Sequence, residues 1–234
     1  TGVQDRLVES LSKVASVRKI PLTAVLINGK PLEFERVACA SNAVIEAFNP
    51  GIYGGQAIAE IIFGLSEPRG RLPISFPRKT GQLPVYYNQL PGWHDGAYCD
   101  CPRDPLFAFG EGLGWTTFSY ETPKLSASRA SAGDTVTVTV SVTNTGSLDG
   151  TETVQLYAAD RIASVVTPVR ELKGFKRVFI PAGQTATVEI TLETDALSIV
   201  DRNGKTVLEP GEFDILVGHD SRIGNLKSTI LEIV

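Results

Sequence analysis

Residues 135–142 read Thr-Val-Thr-Val-Thr-Val-Ser-Val, an uninterrupted alternation of polar and apolar side chains. Successive side chains of a β-strand point to opposite faces, so this period of two predicts a strand with one face in a core. The Asn144-Thr145-Gly146 stretch that follows predicts a turn. This stretch therefore indicates a packed antiparallel sheet in the second half of the chain.

Residues 120–234 continue in the same way, with short apolar runs separated by turn residues. Asn203-Gly204 is a strong signal for a two-residue hairpin. Further strands are predicted over residues 152–158, 177–180, 186–192 and 213–217. About seven short strands in about 115 residues predict an all-β immunoglobulin-like or fibronectin type III-like sandwich.

Residues 1–77 have a different pattern, in which helical and strand-like stretches alternate. Helices are predicted over 5–17, 34–39 and 54–63, and strands over 22–27, 42–48 and 72–76. This alternation predicts part of an α/β sandwich with a largely parallel sheet. Pro73 lacks a backbone N–H, which favours an edge position for the last of these strands.

Residues 78–119 are rich in proline, glycine and aromatic residues and show little periodicity. A long irregular stretch in a compact protein is typical of a functional loop or a linker. We therefore expect an α/β part over 1–77, an irregular connecting segment over 78–119 and a β-sandwich over 120–234.

Composition excludes several classes of protein. The 234 residues include 22 lysines and arginines against 26 aspartates and glutamates, a net charge of −4. An acidic chain is not expected to bind nucleic acid or an anionic membrane surface. No apolar run is long enough to predict a transmembrane helix. The chain has no methionine and no signal-peptide pattern, so we expect a processed chain or a fragment.

The sequence lacks the common catalytic motifs. It has neither the G-x-S-x-G of serine hydrolases nor the G-x-x-x-x-G-K-[ST] of phosphate-binding loops. Glycosidases use two carboxylates, and four lie in the irregular segment. These are Asp95, Asp100, Asp104 and Glu111. Nothing in the sequence brings two of them together, and roles in turns and ion pairs are the simpler interpretation.

No metal site is predicted. His94 lies near Cys99 and Cys101, but C-x-C is not the usual zinc spacing and no second pair follows. Cys39 is expected to be a small core residue and His219 a surface loop residue. Three cysteines are more typical of a reducing cytoplasm than of an oxidising compartment, but they do not decide the compartment.

Trp93-His94 is the candidate substrate-binding pair. An indole in a loop rich in glycine and proline offers a flat apolar face to a sugar ring, and the imidazole offers hydrogen bonds to hydroxyls. The alternative is a tryptophan that packs between domains.

Motifs in the first 120 residues carry a family resemblance. Residues 26–32 (LINGKPL) resemble V-L-x-N-G-x-P-L, and residues 48–59 (FNPGIYGGQAIA) resemble W-x-P-G-x-x-G-G-x-A-I-A. Residues 63–77 (FGLSEPRGRLPISFP) resemble F-G-x-x-x-P-S-G-R-L-P-x-T-F-P. Residues 109–118 (FGEGLGWTTF) resemble F-G-Y-G-L-S-Y-T-T-F.

Two motifs of the second half extend the resemblance, at residues 142–152 (VTNTGSLDGTE) and 171–175 (ELKGF). Together these motifs resemble the C-terminal part of glycoside hydrolase family 3, the β-glucosidase and β-xylosidase group. The resemblance covers essentially the whole chain. It implies the end of an α/β sandwich domain followed by a fibronectin type III-like domain.

The resemblance also implies a function. Such enzymes hydrolyse β-linked glycosides with retention and without a cofactor, using an aspartate of a barrel domain and a glutamate of the sandwich domain. Both carboxylates precede the first residue that matches, so we expect no catalytic residue here and no activity of the chain alone. Glu111 takes the place of the tyrosine in F-G-Y-G. We expect a β-linked oligosaccharide or glycoside as substrate and a barrel-containing chain or segment as partner.

Two alternatives belong to other classes. The chain could be a non-catalytic module that binds carbohydrate or protein, for which exposed aromatic residues on the sandwich would be evidence. Tyr157, Phe175, Phe179 and Phe213 are instead expected in the core. The other alternative is an independent hydrolase that uses Asp95 or Glu111. The sequence does not distinguish glucose from xylose.

Overall fold

The computed structural model of the protein describes residues 2–92 and 98–234. These residues form two compact units, each built from separate stretches of the chain. The first unit contains residues 2–66, 75–85 and 98–107, and the second contains 67–74, 86–92 and 108–234.

The first unit has the predicted order of helix, strand, helix, strand and helix. Its elements are α1 (Val3–Arg18), β1 (Thr23–Leu26), α2 (Glu35–Ala40), β2 (Ala43–Glu46) and α3 (Gly54–Ile62). β1 and β2 pair in parallel, from Thr23 opposite Ala43 to Leu26 opposite Glu46. The α/β prediction with a partial parallel sheet is therefore confirmed.

The predicted strand over residues 72–76 is wrong. Only Phe76 forms an isolated antiparallel bridge, in which its N–H donates to the Phe107 carbonyl at 2.8 Å. Pro73 and Pro77 have no N–H to donate on either side of this residue, which prevents a regular ladder. Phe76 instead belongs to an aromatic cluster. The centroid of its ring lies 5.4 Å from that of Phe34, and the Phe34 ring stacks on Phe107 with 5.7 Å between centroids.

The prediction that Cys39 is a core residue is also wrong, because its side chain is exposed. It lies in α2, a six-residue helix with no buried residue. The helix begins beside the buried Phe34, which supplies the apolar contact of this region instead.

The second unit is a β-sandwich. Its strands are β3 (Phe118–Tyr120), β4 (Lys124–Leu125), β5 (Arg129–Ala130), β6 (Thr135–Asn144), β7 (Gly150–Asp160), β8 (Glu171–Ile180), β9 (Thr185–Glu193), β10 (Ile199–Val200), β11 (Thr206–Val207), β12 (Gly211–Gly218) and β13 (Lys227–Ile233). One sheet has the order β5-β13-β12-β7-β8. In the other, β6 pairs with β3, β4 and β9. Strands β10 and β11 form a hairpin around Asn203-Gly204, but residues 201–205 connect them, so the predicted two-residue turn is wrong.

The alternating stretch forms β6 and lines the core as predicted. Its four valines are at most 2% exposed, whereas the side chains between them are exposed or half-buried. Valines of β6 share one apolar cluster with Leu156 of β7, Ile215 of β12 and Leu231 of β13. Burial of these side chains between two sheets provides the main stabilisation of the unit.

Two of the four aromatic residues assigned to the core are not in it. Tyr157 and Phe213 are 0% and 3% exposed, as predicted. Phe175 and Phe179 are 63% and 60% exposed, and the core prediction for them is wrong. Both lie on β8, where Val178 and Ile180 take the inward positions, so the odd-numbered side chains face outward.

Asn144 closes the turn after β6 through its buried side-chain amide. Its Oδ1 accepts hydrogen bonds from the Thr116 hydroxyl at 2.6 Å and the Gly146 N–H at 3.1 Å. Its Nδ2 donates to the carbonyls of Leu148 at 2.8 Å and Ile180 at 2.9 Å. One amide thus holds three separate stretches of chain.

Replacing Asn144 by alanine is expected to destabilise the chain by about 2 kcal/mol, because the buried Ile180 carbonyl and the partly buried Leu148 carbonyl lose their donor. Urea unfolding followed by circular dichroism measures the change. Asn203→Ala is the control, at an exposed hairpin tip, with an expected loss below about 1 kcal/mol. Equal losses for the two variants would contradict the role assigned to Asn144.

Candidate functional site

The predicted substrate-binding residues Trp93 and His94, and the candidate carboxylate Asp95, lie outside the described residues. The structure does describe the stretches on either side, residues 86–92 and 98–107. Each stretch is fixed by contacts within its own unit.

Tyr87 fixes the stretch that leads to Trp93. Its ring stacks on Phe109 with 4.1 Å between centroids and meets the buried Tyr157 edge-on at 5.9 Å. Its hydroxyl oxygen accepts a hydrogen bond from the Leu172 N–H at 3.1 Å. Two residues on, the Gln89 carbonyl accepts from the Val169 N–H at 2.9 Å. Residues 87–89 are therefore held against the start of β8.

Gln82 fixes residues 98–107, the stretch that follows. No sequence pattern predicts this role for Gln82. Its side chain is 1% exposed, and its Nε2 donates to the carbonyls of Pro102 at 3.2 Å and Arg103 at 2.8 Å. Its Oε1 accepts from the Arg78 N–H at 2.7 Å, and its own carbonyl accepts from the Tyr98 hydroxyl at 3.1 Å. One buried amide thus orders two loops of the first unit.

A cluster of charges lies beside these loops. The Glu35 carboxylate pairs with Lys79 at 3.2 Å and Arg78 at 3.0 Å. Hydrogen bonds from Lys79 and then Arg78 hold the pKa of Glu35 below its usual value. The nearby Glu33 accepts from the N–H and hydroxyl of Thr80, which lowers the pKa of Glu33 as well.

Replacing Lys79 by glutamine is expected to raise the pKa of Glu35 towards its ordinary value, because the main partner of the carboxylate is lost. A depressed folded-state pKa adds stability above the unfolded pKa of about 4.3, and this stability is lost as pH falls through the folded value. NMR titration of the Glu35 carboxyl carbon measures the shift. Arg6→Gln is the control. An unchanged pKa of Glu35 in K79Q would contradict the role assigned to Lys79.

The Glu111 carboxylate has structural partners. Its Oε2 accepts from the Ala108 N–H at 2.7 Å and from Arg222 at 2.9 Å. Its backbone carbonyl accepts from the Leu72 N–H at 2.9 Å, and the Gly110 N–H donates back to the Leu72 carbonyl at 2.7 Å. The glycine-rich stretch 110–114 is thus a tight loop, and these bonds support a structural role for Glu111.

Among the described residues, the other candidates are not gathered into a catalytic or metal site. Asp100 and Asp104 are exposed residues of the first unit, whereas Glu111 belongs to the second. The three cysteines are free thiols, and burial, followed by the charge of Asp100, raises the pKa of Cys101. That shift is the reverse of what a nucleophilic thiol needs. Over 2–92 and 98–234, no three His, Cys, Asp or Glu side chains come together to hold a metal ion.

His219 is partly exposed, with its Nε2 3.4 Å from the Asp220 carboxylate. A polar cavity of about 410 Å³ lies in the first unit, lined by Ser12, Ser16, Lys19 and Asn42 among others. None of the predicted site residues lines it.

In the described part of the chain, no helix has the length and apolar character needed to cross a membrane.

Family models match both halves of the chain. The glycosyl hydrolase family 3 C-terminal domain matches residues 1–115, and the fibronectin type III-like domain matches residues 152–221. The two matches occur in the order that the sequence motifs predict.

Curated relatives are β-xylosidases and β-glucosidases. A β-xylosidase of Formosa agariphila is 43% identical over 99% of this chain and 32% of its own length. A periplasmic β-glucosidase of Salmonella typhimurium is 38% identical over 86% of this chain and 28% of its own. The chain therefore spans about a third of the length of the relatives it matches.

Solved structures agree with the fold. A β-glucosidase involved in saponin metabolism from intestinal bacteria has a TM-score of 0.92 at 42% identity, over 99% of this chain and 33% of that one. A β-glucosidase of Listeria innocua, in complex with glucose, has a TM-score of 0.86 at 33% identity, over 96% of this chain and 32% of that one. The predicted α/β part followed by a β-sandwich is confirmed.

Proposed function

Because this chain belongs to glycoside hydrolase family 3 and corresponds to the C-terminal portion of its β-glucosidases and β-xylosidases, we propose that it serves a retaining β-glycosidase. The substrate class is a glycoside with a terminal β-linked glucose or xylose. The observation that carries the proposal is the match along 99% of this chain to a β-xylosidase at 43% identity.

The nucleophile and the acid/base are proposed to lie on an upstream part of the enzyme. The contacts of Glu111 support this, because its carboxylate accepts hydrogen bonds from Ala108 and Arg222 that hold the loop in place, which is a structural rather than a catalytic role. The length of the relatives also supports it, since about two thirds of each lies outside the match. This chain would then complete and position the catalytic domain.

Trp93 and His94 are proposed as substrate contacts from this chain. The anchoring of residues 87–89 by Phe109, Val169 and Leu172 supports the proposal. When the residues that precede a binding side chain are already ordered, less conformational entropy is lost on ligand binding.

A barrel-containing chain or segment is proposed as the partner. The apolar side chains Leu7, Leu11 and Val14 of α1 are 45–56% exposed and recur at helical spacing. β1 and β2 form a two-stranded parallel sheet, an arrangement that other elements normally cover on both faces. Both features favour packing against further elements.

Hydrolysis of aryl β-glucoside and β-xyloside tests the function. The purified chain is assayed alone and after addition of a barrel-containing segment of the same enzyme. We expect hydrolysis in the mixture only. In the mixture, W93A is expected to raise KM roughly tenfold. I162A, a change at an exposed site on the sandwich, is the control and is expected to leave KM unchanged. Hydrolysis by the chain alone would overturn the assignment of catalysis to the upstream part.

A further inference from the structure

Strand β8 presents a row of three outward side chains, Phe175, Arg177 and Phe179, which we name the β8 row. The even-numbered neighbours Val178 and Ile180 pack on the core, so the row lies on the opposite face of the sheet. Its two rings are 63% and 60% exposed. Exposed aromatic residues on a sandwich face are evidence for a binding role, and Phe175 and Phe179 are two such residues.

The row has a defined geometry. Phe175, Arg177 and Phe179 stand opposite Gln155, Thr153 and Thr151 of β7. Four residues of extended strand separate the two Phe positions by about 14 Å, with Arg177 midway between them. β8 is also the last strand of its sheet, so the row is open along one side. An extended ligand could therefore lie along it and touch both rings.

The neighbouring polar atoms favour a ligand with hydrogen-bonding groups. Arg177 makes no hydrogen bond or ion pair within the described residues, whereas Lys173 pairs with Glu171 and Lys176 donates to the Glu189 carbonyl. Among the residues that the structure describes, the Arg177 guanidinium is thus free and lies between two exposed rings.

Charge argues against a second copy of the chain as occupant. Residues 121–234 carry 11 basic and 15 acidic side chains, yet β8 carries Lys173, Lys176 and Arg177 against Glu171 alone. Antiparallel pairing of two β8 strands would bring these cations together, and charged edge strands resist such pairing. The unpaired cation instead favours an anionic ligand.

We propose that the β8 row binds a β-linked glycan chain that carries carboxylate groups, such as uronate-substituted xylan. The proposal takes its glycan class from the proposed function. The negative π-faces of Phe175 and Phe179 attract the C–H faces of pyranose rings. The planar fork of Arg177 matches a carboxylate in a bidentate pair. The row would hold polymer beside the enzyme without taking part in bond cleavage.

Affinity electrophoresis of the 234-residue chain tests the proposal. The gels contain glucuronate-substituted xylan or the same xylan after carboxyl reduction. We expect retardation of the chain by the acidic xylan. F175A/F179A is expected to weaken binding at least tenfold in both gels. R177Q is expected to weaken it about fivefold in the acidic gel only. All changed side chains are exposed, so unchanged circular dichroism melting is expected for every variant.

Two controls match the variants. I162A removes an exposed apolar side chain and K227Q an exposed cation elsewhere on the sandwich. Both are expected to bind like the unmodified chain. Equal binding by F175A/F179A, or the same loss for I162A and K227Q, would overturn the proposal. Full competition by poly-glutamate would also overturn it and would indicate an acidic peptide ligand. Loss of binding on adding the barrel-containing segment would overturn it too and would indicate a domain interface. The assay needs no hydrolysis, so its failure is distinguishable from failure of the glycosidase assignment.

Discussion

Replacing Glu152 by alanine is expected to lower the free energy of unfolding by about 3–5 kcal/mol, the loss typical of a broken buried ion pair. The Glu152 carboxylate lies 3.0 Å from the Arg71 guanidinium, and the two side chains are 4% and 10% exposed. The Arg71 Nε already has no partner among the described residues. Without Glu152, a buried cation would have no counter-charge.

The pair joins residues 67–74 to β7, so its loss is expected to weaken the attachment of that stretch. The Glu67 carboxylate, which accepts from the Thr151 N–H at 2.8 Å, provides the second attachment. Near the pair, burial and then the charge of Glu152 raise the pKa of Tyr120 far above its ordinary value. Charges in this region therefore act on one another with little screening by solvent.

Urea unfolding measures the change in E152A, with E232Q as its matched control. Glu232 pairs with Arg129 at 2.9 Å, but these side chains are 44% and 65% exposed. Exposed pairs contribute at most about 1 kcal/mol. The double variant R71M/E152L, which removes both charges, is expected to lose less stability than E152A. A loss in E152A no larger than in E232Q would contradict the importance of the buried pair.

The β-sandwich was predictable because its strands are amphipathic. In residues 135–142 of β6 every second residue is a core valine, and the period of two is visible in the sequence. β8 lacks this signal, since Phe175 and Phe179 face outward while Val178 and Ile180 face inward. Apolar residues on both faces conceal the period, and only the pairing with β7 shows which face is buried.

The contacts that order the irregular segment could not be predicted from local patterns. Gln82 binds backbone carbonyls about 20 residues further along, and Arg71 pairs with a residue 81 positions away. Backbone carbonyls carry no sequence signal, and a distant ion pair has no periodicity. The family motifs marked residues 109–118 as important, but the partners of Glu111 emerge only from the fold.

Replacing Gly110 by alanine is expected to destabilise the chain by about 3–4 kcal/mol, the sum of backbone strain and broken hydrogen bonds. Gly110 has a φ of +80°, a conformation that side chains disfavour. An added Cβ would also overlap the side-chain amide of Gln155. That amide is 3% exposed and donates to the carbonyls of Gly110 at 3.0 Å and His219 at 2.5 Å.

Gly183→Ala separates the two contributions in the same unfolding experiment. Gly183 has a φ of +71°, but no atom lies within 4 Å of an added Cβ. Its substitution should therefore cost only the backbone strain, about 1 kcal/mol. The excess loss in G110A then measures the contact with Gln155, which holds the 110–114 loop on β7. Equal losses in the two variants would mean that the Gln155 side chain moves aside freely, and that its hydrogen bonds to the Gly110 and His219 carbonyls are not needed to hold the loop.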